Sequence, residues 1–126
     1  MNIFLWVLTV GLAVAFLGAG VMKLTRTKED LHQAGMGWVE DFSQPTIRMI
    51  GVLELLAVVG LILPAVLDIA TVVVPLAALG LVLLMLAAAG THVRRGEWQY
   101  VGVTSTLLVL AAVVTYGRFG PAPVGG

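Results

Sequence analysis

Cysteine is absent from the 126-residue chain, and charged residues are scarce. Without a thiol, the chain has no disulfide, no thiolate nucleophile and no thiolate-bound metal of its own. Charged residues make up 11% of the chain, whereas soluble domains carry about 25%. The formal net charge is zero, so nothing favours nucleic acid or a strongly acidic partner.

What the chain has in abundance is apolar surface, because 60% of its residues are hydrophobic and its mean hydropathy is +1.04. A small soluble domain buries only about 60–70% of the surface that its unfolded chain exposes. The composition therefore predicts a membrane protein. No Lys or Arg precedes Lys23, and the first apolar run covers residues 3–22. This run lacks the basic start and short core of a cleavable signal peptide, and we expect it to be a retained spanning helix.

Four apolar runs predict an all-α transmembrane four-helix bundle, since backbone in hydrocarbon must satisfy its own hydrogen bonds. The predicted spans, within a single domain of residues 1–126, cover residues 3–24, 46–63, 69–91 and 98–116. We expect Pro64 to end the second span and Asp68 to cap the start of the third. Pro75 either kinks the third span or lies in its first turn.

The connection between the first two spans, TRTKEDLHQAGMGWVEDFSQP, is long and mixes polar with apolar residues. Thr27 and Asp30 have the spacing of a capping box, which predicts a short helix over residues 28–34. Trp38 and Phe42 are four residues apart, which is typical of a segment lying in the membrane interface. An ordinary loop with aromatic anchors is the alternative.

Basic residues are distributed unevenly between the two ends of the predicted bundle. Only Arg118 lies on one side, whereas the first and third connections share the other side and are flanked by Lys23, Arg26, Lys28, Arg48, Arg94 and Arg95. The excess of basic residues marks the cytoplasmic side. We therefore expect a multi-pass protein of the plasma (inner) membrane with both termini outside the cytoplasm.

Glu54 lies deepest among the charged residues, about 12 Å into its span. A charge at that depth costs at least about 2.5–3.5 kcal/mol and usually has a partner inside the bundle. Lys23 continues a small-residue stripe of Gly11, Ala15 and Ala19, which should pack against a neighbouring helix. We expect Lys23 to pair with Glu54, although its ammonium could instead snorkel to the interface.

Further polar residues should gather in the same half of the bundle. Chain direction places there Lys23, Arg48, Glu54, His92 and Trp98. Arg48 is expected to cap the cluster near the cytoplasm, and His92 is either a helix-end histidine or a ligand. The cluster is either a structural ion-pair network or the lining of a pocket for a polar head group, quinone or small ligand. We predict no catalytic residues and no metal site, which would require Glu54, His92 and Glu97 to converge.

Four motifs, in order, are GAGVMKLTRTKEDL, RMIGVLELLAVVGLILP, THVRRGE and YGRFGP. Their order and spacing resemble the DoxX-like family of small four-span membrane proteins, from Leu5 to about Pro121. The family's lysine, arginine, glycine, glutamate and histidine correspond by this resemblance to Lys23, Arg48, Gly51, Glu54 and His92.

The family is named for a small subunit of a membrane complex that oxidises thiosulfate with quinone, and relatives are associated with redox homeostasis or partner assembly. Because the sequence has no recognisable catalytic constellation, we expect an accessory or scaffold subunit of a larger membrane complex. Lipid or quinone is the possible ligand of the polar cluster, and no other cofactor is expected. The alternative is a small ligand-handling protein, an oxidoreductase component or transporter. A membrane protein partner or a homo-oligomer would complete either assembly. A simple membrane anchor is a third interpretation.

Overall fold

The computed structural model describes residues 1–124, so that Gly125 and Gly126 of the tail lie outside it. In chain order the helices are α1 (Asn2–Thr25), α2 (Lys28–Gln33), a 3₁₀ helix (Gly37–Asp41), α3 (Gln44–Leu67), α4 (Val73–Arg95) and α5 (Trp98–Phe119). The helices α1, α3, α4 and α5 are long and apolar enough to cross a membrane. The prediction of an all-α bundle with four spanning helices is confirmed.

Two predicted helix ends are wrong. Pro64 does not end the second span, because α3 continues to Leu67. One hydrogen bond lost near a helix end costs less than leaving the next apolar turn without internal backbone partners. Asp68 does not cap α4; it adopts a left-handed conformation, with φ of 54°, and ends α3. Since α4 begins at Val73, Pro75 lies in its first turn, where its missing N–H needs no partner.

The four long helices form a ring in which α1 contacts α3, α3 contacts α4, α4 contacts α5 and α5 contacts α1. We call the end that carries the connection of residues 26–43 the strap end, and that connection the strap. The opposite end, with both chain termini and the turn between α3 and α4, is the terminal end. Near the strap end α1 and α3 touch at two glycines. A Cβ added to Gly51 would lie 3.1 Å from the carbonyl oxygen of Gly20, so both positions need glycine.

At the terminal end, glycines bring the pair α1/α3 against the pair α4/α5. A Cβ on Gly60 would lie 2.9 Å from the Cβ of Ala77, and one on Gly117 would lie 2.5 Å from the Leu5 side chain. Below these contacts the middle of the bundle is filled by a core that includes Leu12, Phe16, Leu61, Leu81 and Ala111. The two helix pairs therefore converge at the terminal end and leave space between them at the strap end.

The predicted packing of the small-residue stripe on α1 is wrong. A Cβ added to Gly11 would meet no neighbouring atom within 4 Å, and Ala15 is exposed. The helix interface is formed instead by the bulky Leu12 and Phe16, which fill the core, and by Gly20. Larger side chains bury more apolar area at the interface, which leaves the small residues facing outward or into a cavity.

The strap is an ordered element with its own small core. The Thr27 hydroxyl accepts a hydrogen bond from the Asp30 backbone N–H at 3.1 Å and completes the predicted capping box, and Gly35 follows α2 with φ of 98°. The side chains that fix the strap against the start of α3 are Leu31, Val39 and Ile47. The placement of Trp38 and Phe42 in the membrane interface stays a prediction.

Candidate ligand-binding site

The centre of the site is the pair formed by Lys23 and Glu54. The Lys23 ammonium nitrogen lies 2.7 Å from Oε1 of Glu54, at an angle poor for a hydrogen bond, and the Glu54 side chain is only 2% exposed. The glycine contact sets this geometry, because Lys23 follows Gly20 by one helical turn and Glu54 follows Gly51 by one turn. Close approach of the two helices therefore brings opposite charges together inside the bundle.

Trp38 of the strap covers this ion pair. The Lys23 ammonium lies 5.6 Å from the centre of the Trp38 ring, within the range of a cation–π interaction. Phe42 packs against Trp38 edge to face, with ring centres 5.8 Å apart. The charged pair is thus shielded from water by aromatic side chains on the strap.

Beneath these aromatic rings, the space between the helix pairs forms a cavity of about 320 Å³, near the lower end of the about 300–1,000 Å³ usual for ligand pockets. Its roof is formed by Met36, Trp38 and Phe42. Its apolar walls include Phe16, Ile50, Leu84, Met85 and Leu107. Its polar lining consists of Lys23, Glu54, Thr91, His92, Tyr100 and Thr104. The cavity is therefore amphipathic.

His92 is held on two sides. Its Nδ1 lies 2.9 Å from Oε1 of Glu97, which fixes the orientation of the ring. The Tyr100 ring stacks on it with centres 5.0 Å apart and an interplanar angle of 18°, and the Trp38 ring meets it edge-on at 6.3 Å. His92 is thus both a helix-end histidine and a wall of the cavity, so the two interpretations of the sequence are compatible.

Ion pairs fasten the strap to the turn between α4 and α5. Arg95 is their hub: its Nη1 donates to Oδ1 of Asp41 at 3.0 Å, its Nε lies 3.2 Å from Oε2 of Glu97, and its Nη2 lies 3.5 Å from Oε2 of Glu40. Nε2 of His32 lies 2.6 Å from Oε1 of Glu40. The hydrogen bond with His32 and the nearby Arg95 charge lower the pKa of Glu40. We call Glu40, Asp41, Arg95 and Glu97 the ionic latch.

The structure brings together three of the five residues predicted for the polar cluster: Lys23, Glu54 and His92 all line the cavity. Arg48 does not cap the cluster. Its Nη1 donates instead to the carbonyl oxygen of Leu24, one of the free carbonyls at the C-terminal end of α1. Arg48 and Glu54 are six residues apart on one helix, so their side chains point about 120° apart.

Two further predictions concerned neighbouring residues. Trp98 does not belong to the cluster, because its side chain is 68% exposed on the outside of α5. Glu97 contacts His92 but not Glu54. Among residues 1–124 no three His, Cys, Asp or Glu side chains converge as metal ligands would.

Trp38 and Tyr100 were missed as site residues. The sequence signal for Tyr100 is its position two residues after Trp98, which places the two rings about 200° apart on a helix. If one ring faces lipid, the other faces the bundle. For Trp38 no local signal exists, since its role depends on the strap folding back across the ends of α1 and α4.

The family model described as the DoxX-like family matches residues 7–114 of the chain. No curated protein and no solved structure matches the chain. The matched range contains the cavity residues Lys23, Glu54 and His92, whereas Arg118 near the end of α5 lies beyond it.

Proposed function

The chain belongs to the DoxX-like family, and we propose that this small integral membrane protein binds an amphipathic molecule of the lipid or quinone class in the cavity beneath the strap. The observation that carries the proposal is the cavity itself, with a buried ion pair and a histidine at one end and apolar walls at the other. Pockets of this composition orient a ligand through few polar groups and bind it through apolar contact.

The chemistry of the polar end suits an uncharged head group. Lys23 offers an ammonium donor and Glu54 a carboxylate acceptor, and their charges cancel. A carbonyl oxygen of the ligand can accept from Lys23, and a hydroxyl can donate to Glu54. Because Trp38 and Phe42 limit access of water, such hydrogen bonds are stronger than at an open surface.

The second candidate is an accessory or scaffold subunit of a larger membrane complex, with a membrane protein or a second copy as partner. The observation that favours it is a set of helical glycines with open space where a side chain would point: Gly11, Gly18, Gly80, Gly90 and Gly102. Small residues let helices of different chains approach closely in membranes. The two roles are compatible, since a subunit can hold a ligand for its partner.

The two candidates are separated by what remains bound when the protein is extracted into polymer-bounded membrane discs without detergent. Mass spectrometry should find one amphiphile enriched over bulk lipid in the wild type. The double variant Lys23→Met/Glu54→Gln should lose it while remaining folded. As a matched control, Val14→Met changes an exposed, outward-facing residue of α1 and should retain the amphiphile. If the double variant keeps the same molecules, the cavity is not their site. A stoichiometric second chain without any enriched amphiphile would support the scaffold role alone.

We also propose that the strap end faces the cytoplasm and both termini lie outside, since six of the seven basic residues lie near the strap end. Cysteines introduced at exposed positions test this orientation, because the native chain has none. In intact cells an impermeant maleimide should label Pro123→Cys and leave Glu29→Cys unlabelled until the membrane is broken. The reverse pattern would invert the topology.

A further inference from the structure

The ring of helices is not closed equally along its length. At the terminal end α1 and α5 touch through Leu5 and Gly117, and Nη1 of Arg118 donates to Oδ1 of Asn2 at 2.7 Å. Nearer the strap end the same two helices line the cavity from opposite sides, with Ala15 on α1 and Val103 on α5. The seam between α1 and α5 therefore opens toward the strap end.

Ala15 and Val103 identify a mouth in this seam. Both line the cavity, and both are exposed on the outer surface, Val103 to 53%. A residue with both properties lies where the cavity reaches the outside. On the opposite seam, between α3 and α4, Ala87 on α4 also has both properties, but the cavity residue Ile50 on α3 is half-buried, so only one of the two helices there has an exposed cavity residue.

The strap end itself is covered. Met36, Trp38 and Phe42 form the roof, and the ionic latch ties the strap to α4 through Asp41 and Arg95. A ligand arriving from water would have to displace these aromatic side chains. A ligand dissolved in the bilayer meets only Ala15 and Val103, neither of which carries a polar group.

Depth restricts what the ligand can be. Glu54 lies ten residues into α3, which is about 15 Å from the strap end. Ala15 lies ten residues before the end of α1, also at about 15 Å. A phosphate drawn to that depth would lose its hydration without finding an unpaired cation, because Lys23 is already paired with Glu54. A neutral hydroxyl or carbonyl head is desolvated at lower cost.

We propose that the ligand is a neutral single-chain amphiphile that enters sideways from the bilayer between α1 and α5, with its hydroxyl or carbonyl head at Lys23 and Glu54 and its chain leaving past Ala15 and Val103. The inference rests on the proposed binding function and adds the ligand class and the route. A cavity of about 320 Å³ also favours a single chain over the two chains of a phospholipid.

The test uses Trp38 as a reporter in the roof of the cavity. Trp6→Phe and Trp98→Phe leave it as the single tryptophan, since the chain has three. Protein in mixed micelles is combined by stopped flow with micelles that contain a monoacylglycerol brominated on the chain carbon next to its ester group, which the proposed pose places near Trp38. We expect saturable quenching of Trp38, and only weak, unsaturable quenching by a chain-brominated phosphatidylcholine.

Variants at the mouth then define the route. Ala15→Phe and Val103→Phe should slow the quenching about tenfold, which corresponds to a modest added barrier. Val14→Phe is the matched control, because Val14 is next to Ala15 in the chain but is 66% exposed and does not line the cavity. It should leave the rate unchanged.

Each of the other outcomes would reject one part of the proposal. Absence of saturable quenching by either lipid would overturn the proposed ligand class if an amphiphile is still enriched in the extracted wild type. Absence of both the quenching and the enriched amphiphile would overturn the binding function itself. Saturable quenching by the phospholipid alone would overturn the ligand class. If binding is retained and Ala15→Phe behaves as Val14→Phe does, the route is wrong. In that case slower quenching in Ala87→Phe would indicate the seam between α3 and α4, and faster quenching in Arg95→Gln would indicate entry beneath the strap.

Discussion

Each end of the bundle holds a cationic side chain between its helices, but the two ends accommodate it differently. At the strap end Lys23 faces the carboxylate of Glu54 beside a cavity. At the terminal end Arg118 is 3% exposed, and among residues 1–124 its hydrogen-bond partners are neutral. Its Nη1 donates to Oδ1 of Asn2 at 2.7 Å and to the carbonyl oxygen of Ala122 at 3.0 Å.

The surroundings explain this difference. The Arg118 guanidinium lies 5.8 Å from the centre of the Trp6 ring, and its neighbours belong to the first and last turns of the bundle, where Leu5 packs against Gly117. Arg118 thus ties the two chain ends together. Lys23 lies where the helix pairs separate and a ligand has room. The cavity beside Lys23 is the basis of the proposed binding role, whereas Arg118 joins the end of α5 to the first turn of α1.

The largest expected effect is on the Lys23–Glu54 pair. Glu54→Gln leaves a buried ammonium without its counterion, which typically costs about 3–5 kcal/mol. Thermal unfolding in detergent should show the loss as a clear drop in Tm. Lys23→Met combined with Glu54→Gln should lose much less than the sum of the single variants, since no charge then remains unpaired. Strictly additive losses would show that the two side chains do not interact.

Arg118→Met is the matched comparison at the other end. It removes hydrogen bonds to Asn2 and Ala122 but also removes a buried charge, so its cost should be smaller, about 1–3 kcal/mol. Above all, it should not change which small molecule copurifies. Loss of the amphiphile in Arg118→Met, with the ion-pair variants retaining it, would reverse the roles assigned to the two ends.

The charged pair at the strap end can be predicted from the sequence, but the partner of Arg48 cannot. Depth and the spacing along α1 and α3 point to Lys23 and Glu54, because an unpaired carboxylate inside a span is costly. Arg48 was misplaced because chain direction puts it in the same half of the bundle as the cluster, whereas the free carbonyl of Leu24 is its partner. That partner depends on how closely the glycines let α1 approach α3, a property of two helices that neither sequence segment shows alone.

The helix boundaries show where local sequence signals fail and where they hold. Pro64 has the local signature of a helix end, yet α3 continues through it to Leu67. The strap contrasts with this, because its capping box is local and was predicted correctly. What could not be predicted was the fold of the strap over the cavity, which depends on Asp41 meeting Arg95 across 54 residues of chain.

The smallest expected effect concerns the ionic latch and its dependence on pH. The pKa of Glu40 is lowered below its ordinary value of 4.5 by the hydrogen bond with His32 and by Arg95. A lowered carboxyl pKa stabilises the closed strap above the unfolded value and loses that contribution as pH falls through the folded value. Hydrogen exchange in the strap should therefore quicken on acidification below about pH 4.5.

Glu40→Gln removes the titrating group, and its strap should exchange faster at neutral pH, by less than about fivefold because the pairs are exposed. On acidification this variant should change less than the wild type. Glu29→Gln, on the exposed start of α2, is the control and should respond to pH as the wild type does. The terminal end sharpens the comparison. Among residues 1–124 no carboxylate pairs with Arg118, so the amides around it should show only the intrinsic pH dependence of amide exchange. An equal pH response at both ends would mean that acid loosens the whole bundle, and that Glu40 has no particular part in holding the strap.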